Sequence, residues 1–162
     1  MAKDRYPVTP AVRVLRTHGV SFTAHLIDYV ERGGTAHTAA TLGVDEHKVI
    51  KTLVFEDDTK DPLIILMHGD RQVSGRDLAR QLGRRVTTPC DPALAERHTG
   101  YQVGGTSPFG THRDMPVFIE RTILQLPKII VNGGKRGFLV ELDPKELVRV
   151  LAAVPVDVAI AG

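Results

Sequence analysis

The sequence contains no tryptophan and a single cysteine, and aromatic residues make up only 5% of it. One cysteine, Cys90, excludes an internal disulfide framework and a cysteine-built zinc site, and it fits a reducing compartment. No apolar run approaches the roughly 20 residues that a membrane-spanning helix needs. The longest is about PLIILM, from Pro62. The opening stretch MAKDRYPVTP lacks the apolar centre of a secretory leader, so the expected location is cytoplasmic, with no membrane partner. Neither sign of charge dominates: 21 Lys and Arg against 19 Asp and Glu leave +2. That balance admits an anionic partner without demanding one. No linker, composition shift, internal repeat or low-complexity segment interrupts the 162 residues, which read as one domain, 1–162. With 42% hydrophobic and 25% charged residues, the chain is globular rather than disordered.

What is present is punctuated by proline and glycine. Thr9–Pro10, Asp91–Pro92 and Asp143–Pro144 each set a capping oxygen before a proline, the signature of a helix start. After the first, Ala11, Val14, Leu15 and His18 follow helical spacing up to Gly19. VSFTAHLIDY reads as a strand with Phe22, Ala24 and Leu26 alternating. TAHTAATLG reads as a short helix capped by Thr35, and SGRDLARQLG as one capped by Ser74. LVFE and LIILMHG flank the turn DDTKD as a hairpin. PVFIE, KIIVNG and GFLVEL follow as strands, and DPKELVRVLAAV as a closing helix. Short mixed elements of this kind predict an α+β fold with a mixed sheet and several helices.

Within KVIKTLVF, alternation places Lys51 on the same strand face as Val49, Leu53 and Phe55. An ammonium there either snorkels to water or meets an oxygen ligand in a cleft. GYQVGGTSPFG, 100–110, is a loop with little side-chain bulk. Gly104 and Gly105 would let backbone amides approach a carbonyl oxygen, ribose or phosphate, and Pro108 fixes the chain after Ser107. The alternative is a plain Gly-Pro turn. Ser107 is not an elbow nucleophile, because Phe109 occupies the position where that motif needs glycine. NGGKRG, 132–137, is either a simple hairpin turn or a second glycine loop whose Lys135 and Arg136 take phosphates. It is not a P-loop, since Arg136 follows the lysine. The seven histidines show no metal-ligand spacing, so no metal site is expected; no cofactor is expected either. Cys90 reads as a small buried residue. Scattered arginines, Arg113 among them, are either solvated faces or a diffuse patch for an RNA backbone.

Four stretches occur in order: TPAVRVLRTHGVSF, TLGVDEHKVIKTLVF, GYQVGGTSPFGTHRDMPVFIE and VNGGKRGFLVEL. Together they resemble the bacterial Cys-tRNA(Pro) deacylases of the YbaK type, relatives of the editing domain inserted in some prolyl-tRNA synthetases. The resemblance covers nearly the whole chain. It implies a single α+β domain with a barrel-like mixed sheet surrounded by short helices. It also implies release of mischarged cysteine from tRNA(Pro), and from Cys-tRNA(Cys) as a second substrate, without a metal and by attack of either the cysteine's own thiol or water. The implied partners are aminoacylated tRNA(Pro), not DNA, and prolyl-tRNA synthetase. Alanine as cargo, or a noncatalytic tRNA- or synthetase-binding module, are the alternatives. By the resemblance Lys51, Gly104 and Gly105 are catalytic. Thr106, Ser107, Pro108, Asn132, Gly133, His25 and Ile27 bind substrate. Lys135, Arg136 and Arg113 bind tRNA. Two positions depart from the family pattern: Ile27 stands where a tyrosine is usual, the nearest being Tyr29, and Asn132 stands where a serine is usual.

Overall fold

The computed structural model describes residues 5–162; residues 1–4, part of the stretch read as lacking a leader, lie outside them. Strand β3 (Pro62–His68) organises the interior because every one of its residues is buried. Its side chains divide by the two-residue period of a strand. Ile64 and Leu66 enter one core, while Leu63, Ile65 and Met67 enter another. β2 (Ile50–Asp57) pairs with β3 antiparallel across the expected turn, with Lys51 opposite Met67. Ile50 joins the first core, and Leu53 and Phe55 pack with the second. Lys51 therefore lies on the Leu53–Phe55 face, as alternation predicted.

The first core is closed by helix α1 (Pro10–Thr17) and by a three-stranded sheet. That sheet runs β1 (Thr23–Leu26), β8 (Phe138–Leu142), β7 (Ile129–Lys135). Ala11, Val12 and Leu15 of α1 are fully buried; each large side chain so buried contributes about 1.5–3 kcal/mol. Thr9 caps α1 by accepting from the Val12 amide at 3.2 Å. The same hydroxyl donates to the Gly133 carbonyl at 2.5 Å, which ties the helix start to the second glycine loop. β1 is shorter than the strand read from sequence. Leu26 at its end pairs with Phe138 and is exposed.

The second core is covered by helix α3 (Gly75–Leu82), capped by Ser74 as expected, with Leu78 fully buried. Helix α2 (Gly34–Leu42) begins earlier than predicted, at Gly33, without a side-chain cap. Thr35 is not its cap, because its hydroxyl donates instead to Glu46 at 2.7 Å. Helix α4 (Pro92–Thr99) starts at Asp91–Pro92, and α5 (Lys145–Leu151) is held by the Asp143 carboxylate on the Lys145 amide.

The remaining strands are β4 (Arg71–Val73), β5 (Thr87–Pro89), β6 (Val117–Glu120), β9 (Val154–Val156) and β10 (Ala159–Ala161). They complete a five-stranded sheet in the order β5-β2-β3-β6-β9 and a two-stranded ribbon β10-β4. The β3–β6 and β6–β9 pairings are parallel and the others antiparallel, so the fold is α+β with a mixed sheet. It is not a closed barrel: the larger sheets meet at an isolated bridge between Val49 and Ile130 rather than along a ladder. No helix is long and apolar enough to cross a membrane among the described residues.

Candidate active site

β5 pairs with β2 only from Phe55 to Asp57. The outer edge of β2 from Ile50 to Leu53 is therefore open on that side. A cavity of about 1020 Å³ wraps this edge and takes side chains from both faces of the strand, Lys51 and Leu53 from one, Ile50 and Thr52 from the other. The opposite wall comes from Ile27, Val103, Gly104, Thr106, Asn132 and Arg136. Five of the sequence-derived candidates besides Lys51 are thus on one cavity: Ile27, Gly104, Thr106, Asn132 and Arg136.

The Lys51 ammonium donates to the Arg71 carbonyl of β4. Burial pulls its pKa below the usual lysine value, and the Glu46 and Asp70 carboxylates pull it partly back. Gly104 has φ +91°, a conformation that only glycine adopts without strain. A side chain there would also stand 2.7 Å from the Tyr29 hydroxyl. The Gly104 amide has no hydrogen-bond acceptor among the described residues. The Thr52 hydroxyl, at the cavity wall, is buried and has no hydrogen-bond partner among the described residues. A buried hydroxyl left unpaired is costly unless something polar visits it.

Other candidates do not reach the cavity. Gly105 is a packing glycine: a side chain there would meet the Arg136 amide at 2.7 Å, and its own N–H donates to the Gln102 carbonyl at 2.9 Å. It does not offer the free donor that its sequence suggested. Ser107 is fully buried, and its hydroxyl accepts from the Phe109 amide at 3.1 Å. Pro108 is buried beside it. Tyr101 fastens this end of the loop by donating to the Phe109 carbonyl at 2.6 Å. Gly133 packs against the Phe138 ring. His25 bonds Glu141 at 2.9 Å, and Lys48 holds the other oxygen of that carboxylate, also at 2.9 Å. Lys135 and Arg113 are exposed away from the cavity lining.

Sequence reading missed Thr52 and named Tyr29 only as a departure. Tyr29 lines the cavity and carries the Arg136 guanidinium 4.8 Å over its ring. Arg136 also donates from Nε to the Val103 carbonyl at 2.9 Å, so one side chain joins the two glycine loops. The facing glycine loops were legible as an alternative; the aromatic between them was not, because Tyr29 lies beyond the end of β1. Cys90 also lines the cavity, with its thiol pushed up to about 11 by burial, and is no nucleophile.

Spacing along the chain gave no metal site, yet folding brings His47, His68 and Asp70 within 4.8 Å of one another. The two imidazoles stack at 3.6 Å with 7° between their planes. Ring lone pairs lie in the ring planes, so stacked rings aim them side by side rather than at one point, and both His68 nitrogens already have partners. The cluster as folded is a hydrogen-bonded network and not a metal centre.

Residues 33–150 match the aminoacyl-tRNA editing domain family. The chain belongs to that family. The editing domain is 29% identical over 140 residues to EbsC of Enterococcus faecalis, provisionally named a Cys-tRNA(Pro)/Cys-tRNA(Cys) deacylase. The match covers 86% of this chain and 85% of that one. It is also 29% identical over 100 residues to the proline–tRNA ligase of Streptococcus suis, covering 62% of this chain but 16% of the ligase. A solved structure provisionally described as a trans-editing enzyme for prolyl tRNA synthetase superposes with TM-score 0.82. Its identity is 22%, and the match spans 98% of this editing domain and the whole, 100%, of that chain. This last likeness concerns the fold alone.

Proposed function

We propose that this editing domain is a deacylase that releases cysteine from Cys-tRNA(Pro), with the bond cleaved where Lys51 and Gly104 line the cavity. One observation carries the reading: an ammonium, a glycine amide without an acceptor and an unpartnered hydroxyl, at Lys51, Gly104 and Thr52, line one cavity. An aminoacyl ester is already activated. The protein needs to hold the carbonyl, orient the attacker and stabilise the oxyanion. The Gly104 amide takes the oxyanion. Lys51 holds the ribose or the substrate's polar end and offsets the developing charge. Asn132 and Thr106 contact the bound aminoacyl group, and Arg136 faces the RNA.

With cysteine as cargo, the substrate's own thiolate attacks its ester carbonyl. A carbon–sulfur bond forms, the ester carbon–oxygen bond breaks, and the thiol proton passes to the departing ribose oxygen. The products are a cyclic thioester and free tRNA. A thiol of pKa about 8.5 supplies enough thiolate near neutrality. Water replaces the thiol for a cargo without one. The apolar lining residues Ile27, Leu53 and Leu139 make alanine the second cargo to test. Small amino acids need such a checkpoint, because a methylene-scale difference gives a synthetase only about 10–200-fold discrimination.

The test compares Cys-, Ala- and Pro-tRNA(Pro) with wild type and Lys51→Ala. Cysteine release well above background, lost in the variant, supports the reading. Equal release by the two proteins overturns it, and equal rates on all three substrates overturn the cysteine assignment.

A further inference from the structure

Charge is unevenly placed along this chain. From Arg71 to Cys90 the sequence holds five arginines, at 71, 76, 80, 84 and 85, and one acid, Asp77. The whole chain carries only +2, so everything outside this stretch is net acidic. All five arginines are exposed. Helix α3 arranges two of them. It turns Leu78 and Ala79 inward, both buried, so Arg76 and Arg80, one helical turn apart, share its outer face. Gly83 then closes the helix in a left-handed turn, and Arg84 and Arg85 follow.

Three of the five are available to a partner. Arg84 stands 3.4 Å from the buried Asp57 carboxylate, and Arg71 leans on Asp70 while its carbonyl anchors Lys51. Arg80 meets Asp77 at 3.1 Å, an exposed pair of the kind worth about 0–1 kcal/mol, which a stronger anion displaces. The Arg76 and Arg85 guanidinium groups have no acidic partner among the described residues; Asp58 accepts at 3.3 Å from the Arg85 backbone amide instead. Val86, at 47% exposure, is the exposed large apolar side chain of the stretch, too little for a protein interface with an apolar centre.

The same stretch borders the substrate cavity. Gln72, Val73, Gly75, Thr87 and Pro89 line it together with Lys51, and Arg76 follows Gly75 directly. A cavity of about 1020 Å³ takes an aminoacyl group and the nucleotide that bears it. The rest of a tRNA has to lie on the surface beside the opening, and every nucleotide there brings a phosphate. Other lining segments are balanced in charge: Glu31 stands beside Arg32, and on α4 Glu96 stands beside Arg97. We propose that the outer face of α3, through Arg76, Arg80 and the following Arg85, holds the phosphate backbone of the tRNA whose ester enters the cavity. Guanidinium groups grip phosphate bidentately and without reading sequence. The choice of RNA rests on the function proposed above.

The test measures binding of uncharged tRNA(Pro) by fluorescence anisotropy, so that its failure is distinct from a failure of deacylation. The α3 variant combines Arg76→Gln, Arg80→Gln and Arg85→Gln, since glutamine keeps the helix propensity of arginine. A control variant removes as much charge elsewhere, by Arg13→Gln, Lys128→Gln and Lys145→Gln, exposed residues outside the cavity lining. Between about 50 and 200 mM salt, the slope of log affinity against log salt should be shallower by about 2–3 in the α3 variant, with affinity at the low end down about tenfold or more. The control should keep the wild-type slope within about 1. If the α3 variant does not match the wild-type denaturation midpoint, the single changes Arg76→Gln and Arg85→Gln, each expected to lower the slope by about 1, replace it. Equal affinity of wild type and α3 variant, as expected if the arginines faced an acidic protein, overturns the proposal. So does an equal loss in the α3 and control variants.

Discussion

The Arg136 guanidinium lies 4.8 Å over the Tyr29 ring. With the Arg136 bond to the Val103 carbonyl, this stack joins the end of the first strand to both glycine loops at the cavity mouth. Arg136→Ala should cost little stability, about 0.5–1 kcal/mol for the lost cation–π contact at an exposed site. It should raise KM for aminoacyl-tRNA more than it lowers kcat, because Arg136 is assigned to binding rather than to the ester. Steady-state deacylation kinetics check this, and an effect confined to kcat would contradict it.

Gly104→Ala tests the first loop itself. At φ +91° an alanine is strained by roughly 1–2 kcal/mol. Its methyl would also approach the Tyr29 hydroxyl to 2.7 Å. Tyr29 is partly exposed and is able to move, so the backbone strain should persist even in a Tyr29→Ala background. Chemical denaturation of the single and double variants separates the two parts. Full recovery in the double variant would show that crowding, not backbone conformation, is what glycine avoids there.

These two residues also show what the sequence made legible. Lys51 and the glycine loops could be found because alternation and glycine density are local signals. The Asp57–Asp61 turn and the central hairpin were legible for the same reason. Gly105 was misjudged because its neighbour in space is the Lys135–Arg136 backbone, distant in sequence. The three-residue strands β4, β5, β9 and β10 lack enough residues to show a period. The Arg71 anchor for Lys51, which sits on one of them, was invisible for that reason. His68 looked like one more isolated histidine until folding stacked it on His47.

The Lys48–Glu141–His25 triad should govern part of the acid limb of stability. Hydrogen bonds from Lys48, then His25, hold the Glu141 carboxyl below its usual range. A depressed folded pKa means the stabilisation is fully present above the unfolded value of about 4.3 and is lost as pH falls through the folded one. Lys48→Met should therefore lower stability near neutrality and flatten the decline below about pH 4.3. Denaturation midpoints measured from neutral to acid pH check this. A decline of the same steepness in both proteins would remove Glu141 from the account.

Cys90 should resist alkylation. With its thiol pushed up to about 11 by burial, only about one part in a thousand is ionised at pH 8. Iodoacetamide labelling of the native protein should be slower by two orders of magnitude or more than that of the unfolded chain, as an estimate from thiolate fraction. Comparable rates would mean that the cavity opens there far more than the structure indicates.

Thr52 gives the sharpest separation of binding from stability. Its buried hydroxyl has no partner among the described residues, and the residue sits within strand β2 at the cavity lining. Thr52→Val keeps the shape and removes the unpaired group, so the free protein should be unchanged or more stable by up to about 1–3 kcal/mol. If the hydroxyl serves the bound aminoacyl group, the same change should reduce kcat/KM for Cys-tRNA(Pro) by about tenfold, the worth of one hydrogen bond near 1.4 kcal/mol. A more stable protein that is less active would mark Thr52 as a residue kept for its ligand at the expense of the fold. A variant that loses stability instead would show that the hydroxyl is bonded in solution, and the cavity wall would then lose its polar contact at β2.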